Sequence, residues 1–242
     1  MATIFMYVSA LFPAVLLFIF VWKKDQKKEP FIQLFKAMLI GALAVIPIIV
    51  IEYVIKMLLF QGGEPTSIIG AVGDAFLVAA IPEEAGKFLA LWLILRKNPY
   101  FDEHFDGIVY AVCIGLGFAT FENIGYIVGK ESWAYIAFGR ALLAVPGHYA
   151  YAVIMGYYYA VYHFIDHSPK TAACALLIPI MLHGTYDALL SMIAVKPIII
   201  VVAFLVFIYF CIKLHKIAYT KLVSLINRDK ETFENDNNKM CY

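Results

Sequence analysis

Long apolar runs separated by short polar connections dominate this chain. A helix that crosses a lipid bilayer needs about 20 mainly apolar residues. Seven runs meet that length: Thr3–Trp22, Phe31–Phe60, Ser67–Leu95, Asp106–Val128, Trp133–Phe164, Thr171–Val195 and Pro197–Tyr219. The second, third and fifth are longer than a bilayer requires, and tilted helices or protruding ends would absorb the excess. The pattern predicts an all-α polytopic membrane protein with about seven transmembrane helices.

Basic residues are divided unevenly among the connections. One set carries most of them, namely Lys23, Lys24, Lys27, Lys28, Lys36, Arg96, Lys97, Lys170 and a C-terminal group from Lys213 to Lys239. The other set, which includes the segments QGGEPTS and GKES and the Lys196 junction, carries few. The positive-inside rule then predicts an outside N-terminus and a cytosolic C-terminus, as an odd number of crossings requires. The first run lacks a cleavage site, so we expect it to be a retained span.

Composition supports a membrane protein. The 242 residues are 63% hydrophobic and 15% charged, with a mean hydropathy of +0.80, whereas soluble domains are closer to half apolar and a quarter charged. The formal charge of +1 gives no indication of nucleic-acid binding. Four singly placed cysteines indicate neither a disulfide framework nor a zinc ribbon. We expect one transmembrane domain over residues 1–225, followed by a polar, disordered cytosolic tail over 226–242.

Ionisable groups inside the apolar runs are the most unusual feature of the sequence, because charge in hydrocarbon is costly and commonly functional. They concentrate in the third to sixth runs and comprise Asp74, Glu83, Glu84, Lys87, Glu122, Arg140, His148, His183 and Asp187. A rise of 1.5 Å per residue puts most of them roughly 10–25 Å from the outer ends of their runs. That common depth predicts a single cavity to which four consecutive runs contribute.

The segment EEAGK, residues 83–87, carries the strongest chemical signal. On a helix, Lys87 can reach Glu83 at i, i+4 and Glu84 at i, i+3, so it can neutralise only one of two carboxylates. The other carboxylate is suited to taking and giving a proton as a general acid or base. Pro82 lacks a backbone N–H and therefore predicts a bend just before the pair.

The fourth to sixth runs carry further polar groups at helical spacing. Asp187 lies at i+4 from His183 and could fix its tautomer, which would leave the other ring nitrogen for substrate or metal. Tyr126 lies one turn beyond Glu122 and could hydrogen-bond to it. Small residues in the fourth run predict close helix packing, and they are Gly115, Gly117 and Gly125. Each polar group also has a structural interpretation, as an interhelical hydrogen bond, an ion cluster or, for Arg140, a side chain that snorkels to the interface.

Four motifs in this order resemble the PrsW family of bacterial intramembrane proteases, and more distantly the CAAX-protease and bacteriocin-processing (ABI) superfamily. They are EEAGK (Glu83 to Lys87), FATFE (Phe118 to Glu122), a mid-span His148 and HGTYD (His183 to Asp187). In the CAAX branch the second motif more typically ends in histidine. Here it ends in Glu122, which fits PrsW and argues against a prenylated substrate.

The resemblance implies a glutamic-type endopeptidase of the bacterial cytoplasmic membrane. Its expected role is the first cut in a membrane-spanning anti-sigma factor, on the extracytoplasmic side, which leads to sigma-factor release in a stress response. By position, Glu83 and Glu84 would be the paired catalytic glutamates, completed by Glu122, His148 and His183. We expect supporting roles for Lys87, Asp187, Asn123 and Tyr126, with membrane lipid but no nucleic acid as a partner.

The residues leave several mechanisms open. In the first, one of the two glutamates accepts a proton from water while His183 and His148 stabilise the developing oxyanion. A zinc site of two histidines and a glutamate is a close variant, although no HExxH motif supports it and no cofactor is expected. A proton-coupled transporter also needs buried acids and histidines, but no internal repeat is evident. A non-enzymatic scaffold would tolerate loss of the glutamates.

Overall fold

The computed structural model describes residues 2–195 and 200–240, and every regular element within those ranges is helical. The α-helices are α1 (Ala2–Lys24), α2 (Phe31–Phe60), α3 (Ile68–Gly73), α4 (Ile81–Leu95), α5 (Asp106–Ile127), α6 (Trp133–Leu142), α7 (Ala144–Val161), α8 (Pro169–Val195) and α9 (Ile200–Met240). Two π-helical segments, Asp74–Ala80 and Tyr162–Asp166, follow α3 and α7. The predicted all-helical class is therefore confirmed for the part of the chain that is described.

Four helical stretches have the length and hydropathy of membrane spans: Thr3–Lys24, Phe31–Phe60, Asp106–Ile127 and Pro169–Met192. The outward faces of α1 and α2 expose large apolar side chains such as Phe5 and Leu58, which lipid would cover. A multi-pass membrane protein is confirmed, but the count of seven spans is not. The third run is interrupted by π-helical turns, so its longest α-helix is the 15 residues of α4. The fifth run is broken, and the seventh begins at Pro197, outside the described residues.

The fifth run was predicted as one helix, but the chain turns at Leu143 (φ −122°, ψ −59°), between α6 and α7. Pro146 lies in the first turn of α7, where its missing N–H leaves no helical hydrogen bond unmade. In a single helix continuing from α6, Pro146 would fail to donate to the carbonyl four residues earlier. The chain therefore breaks shortly before this proline. The break lets α7 begin just before His148.

The third run forms one continuous helical path over residues 68–95, interrupted by the π-helical turns Asp74–Ala80. Ile81 donates its backbone N–H to Phe76, five residues earlier, at the end of those turns. Pro82 has no backbone N–H to donate, and the i to i−5 hydrogen bonding of the π-helical turns just before it accommodates this missing bond. The disruption predicted for this run is thus a π-helical stretch directly preceding Glu83 and Glu84.

The polar C-terminal segment differs from the predicted disorder. Helix α9 continues through residues 226–240, and residues 241 and 242 lie outside the described part. Asp229 is buried and accepts the backbone N–H groups of His104 and Phe105, which attaches this part of α9 to the connection before α5. Composition alone does not reveal such a contact between residues more than 120 positions apart.

Helix α5 forms the centre of the bundle, between α2 and α7. Close approach depends on glycine at both interfaces: a Cβ at Gly117 would lie 2.0 Å from the Met38 carbonyl oxygen, and one at Gly156 would lie 2.3 Å from the Gly107 oxygen. At Gly115 the nearest atom would be the Ala152 Cβ at 2.8 Å. Two of the three predicted glycines therefore serve packing. Gly125 does not, since nothing lies within 4 Å of its added Cβ.

Substituting Gly117→Ala is expected to destabilise the protein, because the new methyl group meets backbone atoms of α2 that cannot rotate away. Overpacking of this kind costs about 1–3 kcal/mol, which corresponds to a Tm lower by roughly 2–12 °C in a chain of this size. Thermal unfolding in detergent would measure it. Gly125→Ala, in the same helix, is the matched control and should leave Tm unchanged or slightly raised, since alanine favours helix. Equal losses in both variants would contradict the packing argument.

Candidate active site

Four helices bring the predicted polar residues together. Helix α4 presents Glu83, Glu84 and Lys87 from its first two turns. Opposite them lie Glu122 of α5, His148 of α7, and His183 with Asp187 of α8. All seven belong to one continuous network of side-chain contacts.

Lys87 occupies the centre of the network. Its Nζ donates to Glu83 Oε2 at 2.8 Å, to Glu84 Oε1 at 2.9 Å and to His148 Nδ1 at 3.1 Å. The same ammonium lies 4.0 Å from the centroid of the Phe118 ring, a cation–π contact. All three residues that bind Lys87 are buried. The lysine thus bonds to both glutamates at once, as the helical spacing allows, and its single charge still offsets only one of them.

The imidazole of His148 links Lys87 to Glu122. An ammonium can only donate, so Nδ1 is the acceptor and the proton resides on Nε2. That nitrogen lies 2.9 Å from Glu122 Oε2. Arg140 of α6 forms an ion pair with the same oxygen at 2.8 Å, and its Nε donates to Asn123. Glu122 is therefore held by one cation and one imidazole.

The second imidazole, His183, is bound on both sides. Its Nδ1 lies 2.9 Å from Glu84 Oε1, and its Nε2 lies 3.1 Å from Asp187 Oδ2. The prediction that Asp187 would leave the other nitrogen free is therefore wrong, because Glu84 on the neighbouring helix takes it. Tyr151 stacks on the imidazole, with ring centroids 4.9 Å apart and planes 16° apart. Carboxylates on both sides suit a protonated ring that donates twice.

Two cavities meet at this network. The larger, of 760 Å³, opens among the π-helical turns, α6, α7, α8 and α9, and its lining includes His148, Tyr151 and His183. The second, of 620 Å³, opens beside α2 and includes Glu52. Glu83 and Glu122 line both cavities, whereas Glu84 lines neither. Glu83 thus faces open space from two directions while Glu84 is enclosed by protein.

The contacts of Asn123 agree with its predicted supporting position, whereas those of Tyr126 differ from the predicted hydrogen bond. Asn123 accepts from Arg140 and donates to the Ala10 carbonyl, which joins α1 to the site. Tyr126 was predicted to bond Glu122, but its ring instead lies under the Arg140 guanidinium at 4.0 Å. The glutamate is already engaged by the Arg140 guanidinium and the His148 ring N–H.

Sequence reasoning understated Arg140 and missed Tyr151. A lone arginine inside an apolar run is a functional signal by default, and Arg140 here binds Glu122 directly. Tyr151 follows His148 by three residues, a spacing that places both on one helix face. Its hydroxyl is buried and has no hydrogen-bond partner among the described residues.

The charges of the network do not balance. It contains four carboxylates and only two cations, so its formal charge is −2 when both imidazoles are neutral. The carboxylates are those of Glu83, Glu84, Glu122 and Asp187, and the cations are Lys87 and Arg140. Protonation of His183 would leave −1. Protons shared among the carboxylates, or a bound cation, can offset the remaining negative charge. The site is therefore suited to proton transfer.

Some of the same residues could hold a metal ion. Donor atoms of Glu83, Glu84, His148 and His183 all lie within 4.8 Å of one another. The second oxygen of Glu84 is buried and lacks a hydrogen-bond partner in the described part of the chain. Two imidazoles and carboxylates form a donor set that zinc accepts.

Comparison with known proteins identifies the family. The model of the PrsW family of intramembrane metalloproteases matches residues 29–212. The chain is 33% identical to Protease PrsW of Clostridioides difficile (strain 630), over 94% of each chain. It is 35% identical to Protease PrsW of Bacillus subtilis (strain 168), over 74% of this chain and 79% of the relative. It is 37% identical to Protease PrsW of Geobacillus kaustophilus (strain HTA426), over 74% of this chain and 76% of the relative. No solved structure matches the chain.

The region matched by the family model contains Glu83, Glu84, Glu122, His148 and His183, which converge in space. Motifs, network and relatives agree. The chain belongs to the PrsW family of membrane-embedded proteases.

Proposed function

We propose that this protease makes the first cut in a single-span membrane anti-sigma factor, using water activated by a glutamate. The observation that carries the mechanism is the position of Glu83. Its carboxylate lies where two cavities meet, bound by Lys87 and 4.0 Å from His183 Nδ1. A peptide bond in one cavity and a water molecule beside it would both be within reach of this carboxylate.

Glu83 is the better candidate for the general base than Glu84. Glu83 lines both cavities, while Glu84 is fully buried and lines neither. Glu84 instead accepts from Lys87 and lies against His183, so its role is to position these two donors. A base must lie within hydrogen-bond reach of the proton that it removes, and Glu83 can reach a water molecule in either cavity.

The remaining groups are suited to stabilising charge on the substrate. His183 and His148 line the larger cavity. Their ring N–H groups face Glu84, Asp187 and Glu122 in the structure, so one of them must leave its carboxylate to donate to the oxyanion of a tetrahedral intermediate, as N–H donors do in oxyanion holes. A protonated His183 can also give a proton to the leaving amine, because Asp187 and Glu84 stabilise its charge. Glu122, held by Arg140, orients His148.

A zinc-dependent form of the same protease is the second candidate. The family description names a metalloprotease, and Glu83, Glu84, His148 and His183 fit a zinc ion in kind and spacing. Bound there, zinc would supply a water of lowered pKa and polarise the scissile carbonyl. Against it, the Lys87 ammonium already bonds to three of those four residues, and a zinc ion held by their remaining donor atoms would lie close to that positive charge and be repelled by it. We therefore favour the metal-free mechanism.

Removal of zinc separates the two candidates. The metal-free mechanism predicts that cleavage persists after treatment with 1,10-phenanthroline in the presence of Mg²⁺, and that elemental analysis finds far less than one zinc per chain. A nitrogen chelator of this type prefers transition metals to Mg²⁺. Activity that disappears and returns with zinc at about one ion per chain would instead establish the metalloprotease.

We further propose seven crossings of a bacterial cytoplasmic membrane, with the N-terminus outside. Connections rich in lysine meet at one end of the bundle: Lys27 pairs with Asp102, and Gln26 bonds to the Ile226 carbonyl of α9. The larger cavity opens toward the other end, where its lining includes Tyr135 and Ser191. With the basic end in the cytosol, the substrate would be cut near the outer face.

Co-expression tests the proposed substrate. The protease would be produced with an anti-sigma factor from a related bacterium that carries different tags at its two ends. The proposal predicts a shortened cytosolic-tagged product that retains the spanning segment. If both proteins insert correctly and only full-length anti-sigma factor is found, that substrate is wrong. Cleavage of another single-span protein would keep the mechanism and change the partner.

A further inference from the structure

A second group of buried acids lies at the basic end of the bundle. It draws Asp25 and Glu29 from the connection between α1 and α2, Glu103 from the connection between α4 and α5, and Asp106 from the first turn of α5. Asp229 of α9 binds the neighbouring backbone. Asp106 is 16 residues, or about 24 Å of helix, from Glu122, so this group is separate from the active site.

Three of these carboxylates face each other closely. Donor oxygens of Asp25, Glu103 and Asp106 all lie within 4.8 Å of one another. Their residues are 3%, 7% and 0% exposed. A second set formed by Glu29, Asp102 and Asp106 meets the same distance limit and shares Asp106.

Several oxygens in the group have no partner. Neither carboxylate oxygen of Asp25 has a hydrogen bond, and the same is true of Glu103 Oε1 and Asp106 Oδ1, within the described residues. Burial raises the pKa of Asp25 and outweighs the Lys28 charge and the nearby backbone amides of Glu29 and Lys27, which lower it. Neither amide reaches hydrogen-bond geometry with the carboxylate. Buried carboxylate oxygens without donors are costly.

Nearby basic groups are engaged elsewhere. Lys27 pairs with Asp102, and Lys28 donates to the backbone carbonyls of Trp22 and Asp25. His104 bonds to Asp229. None of the ion pairs among the described residues includes Asp25, Glu103 or Asp106. Burial raises the pKa of Glu103 to about 7, and the nearby Asp229 and Asp25 add to the effect.

We propose that Asp25, Glu103 and Asp106 form a binding site for a hard divalent cation, Mg²⁺ or Ca²⁺. The donors are all carboxylate oxygens, which these ions prefer. Oxygens up to 4.8 Å apart can surround one ion at the 2.0–2.6 Å distances typical of the two metals. Each of the three residues has at least one buried oxygen without a hydrogen-bond partner among the described residues, and the charge of an ion would offset that of the three acids.

The ion would join three parts of the chain. Asp25 belongs to the connection that leads into α2, and Glu103 to the connection that follows α4, the helix of the catalytic pair. Asp106 accepts the backbone N–H groups of Asp102 and Glu103 and so fixes that connection to α5. Cation binding would therefore stabilise the end of α4 opposite Glu83.

Thermal unfolding of the full chain in detergent tests the proposal. An inactive Glu83→Gln background would be stripped with EDTA, and MgCl₂ or CaCl₂ would then be compared with NaCl of equal ionic strength. At about 100-fold excess over Kd, a bound ion should raise Tm by roughly 5–10 °C. Calorimetric titration of the same protein should give about one site per chain.

Variants show where the ion binds. Asp25→Asn combined with Glu103→Gln should abolish the shift, while the EDTA-treated variant should be at least as stable as its parent, because two buried charges are gone. Asp166→Asn, which changes an exposed acid at the end of the π-helical segment after α7, is the matched control and should keep the shift. Absence of any shift in the parent protein, or a shift that survives the double substitution, would overturn the proposal. Comparison of the two salts decides between Mg²⁺ and Ca²⁺.

Discussion

Glu83→Gln is expected to reduce proteolysis by about 10²–10⁴-fold, the usual contribution of a general base. Glutamine keeps the size of the side chain and can still accept a hydrogen bond from Lys87, but it cannot take a proton from water. The protein should still insert and unfold at a similar temperature, since one of two acids around Lys87 remains. Cleavage of a tagged membrane substrate in proteoliposomes would measure the loss.

Matched substitutions make this result interpretable. Glu84→Gln should also lower activity, with a greater effect on stability, because Glu84 bonds to both Lys87 and His183. Glu64→Gln, an exposed acid paired with Lys56, should have no effect on cleavage. Full activity in both Glu83→Gln and Glu84→Gln would reject glutamate catalysis.

Lys87→Met is expected to have the largest effect on stability. The substitution leaves Glu83 and Glu84 buried without their cation and removes the donor that sets the tautomer of His148. Loss of one partner from a buried ion pair costs about 3–5 kcal/mol, so Tm should fall by roughly 6–20 °C. Proteolysis should be lost as well. Thermal unfolding and the proteoliposome assay would test both parts.

A second substitution distinguishes this electrostatic cause from lost packing. Adding Glu84→Gln to Lys87→Met removes one of the stranded charges and should recover part of the stability, but not the activity. Lys56→Met is the control, because Lys56 pairs with the largely exposed Glu64 and should change Tm little. A Lys87→Met protein as stable as its parent would show that the lysine is not the counter-ion of the pair.

The motifs EEAGK, FATFE and HGTYD indicated which residues would meet, and the structure brings them together. Helical spacing alone related Lys87 to the two glutamates and His183 to Asp187, since such contacts lie within one element. The contacts between helices were not predictable. Nothing in the spacing shows that His183 lies against Glu84 or that Arg140 binds Glu122, because these contacts depend on how α4, α5, α6 and α8 pack.

The errors in helix bounds have local physical causes. The break at Leu143 and the π-helical turns before Pro82 both lie beside a proline, and hydropathy does not distinguish a broken apolar run from a continuous one. The C-terminal polar segment was expected to be disordered because it cannot bury apolar surface. Its attachment instead uses one buried acid, Asp229, and two backbone amides.

Convergence of the four helices is the central claim, and chemical cross-linking tests it most directly. The background for this test lacks the four native cysteines. In it, Glu122→Cys paired with His148→Cys should react in high yield with a short bifunctional thiol reagent in native membranes, because Glu122 Oε2 and His148 Nε2 lie 2.9 Å apart in the parent protein. Glu122→Cys paired with Asp229→Cys should not, because Asp229 of α9 lies beside the residues that precede α5, at the end of that helix far from Glu122. Absence of cross-linking in the first pair, with both cysteines reactive, would contradict a shared active site.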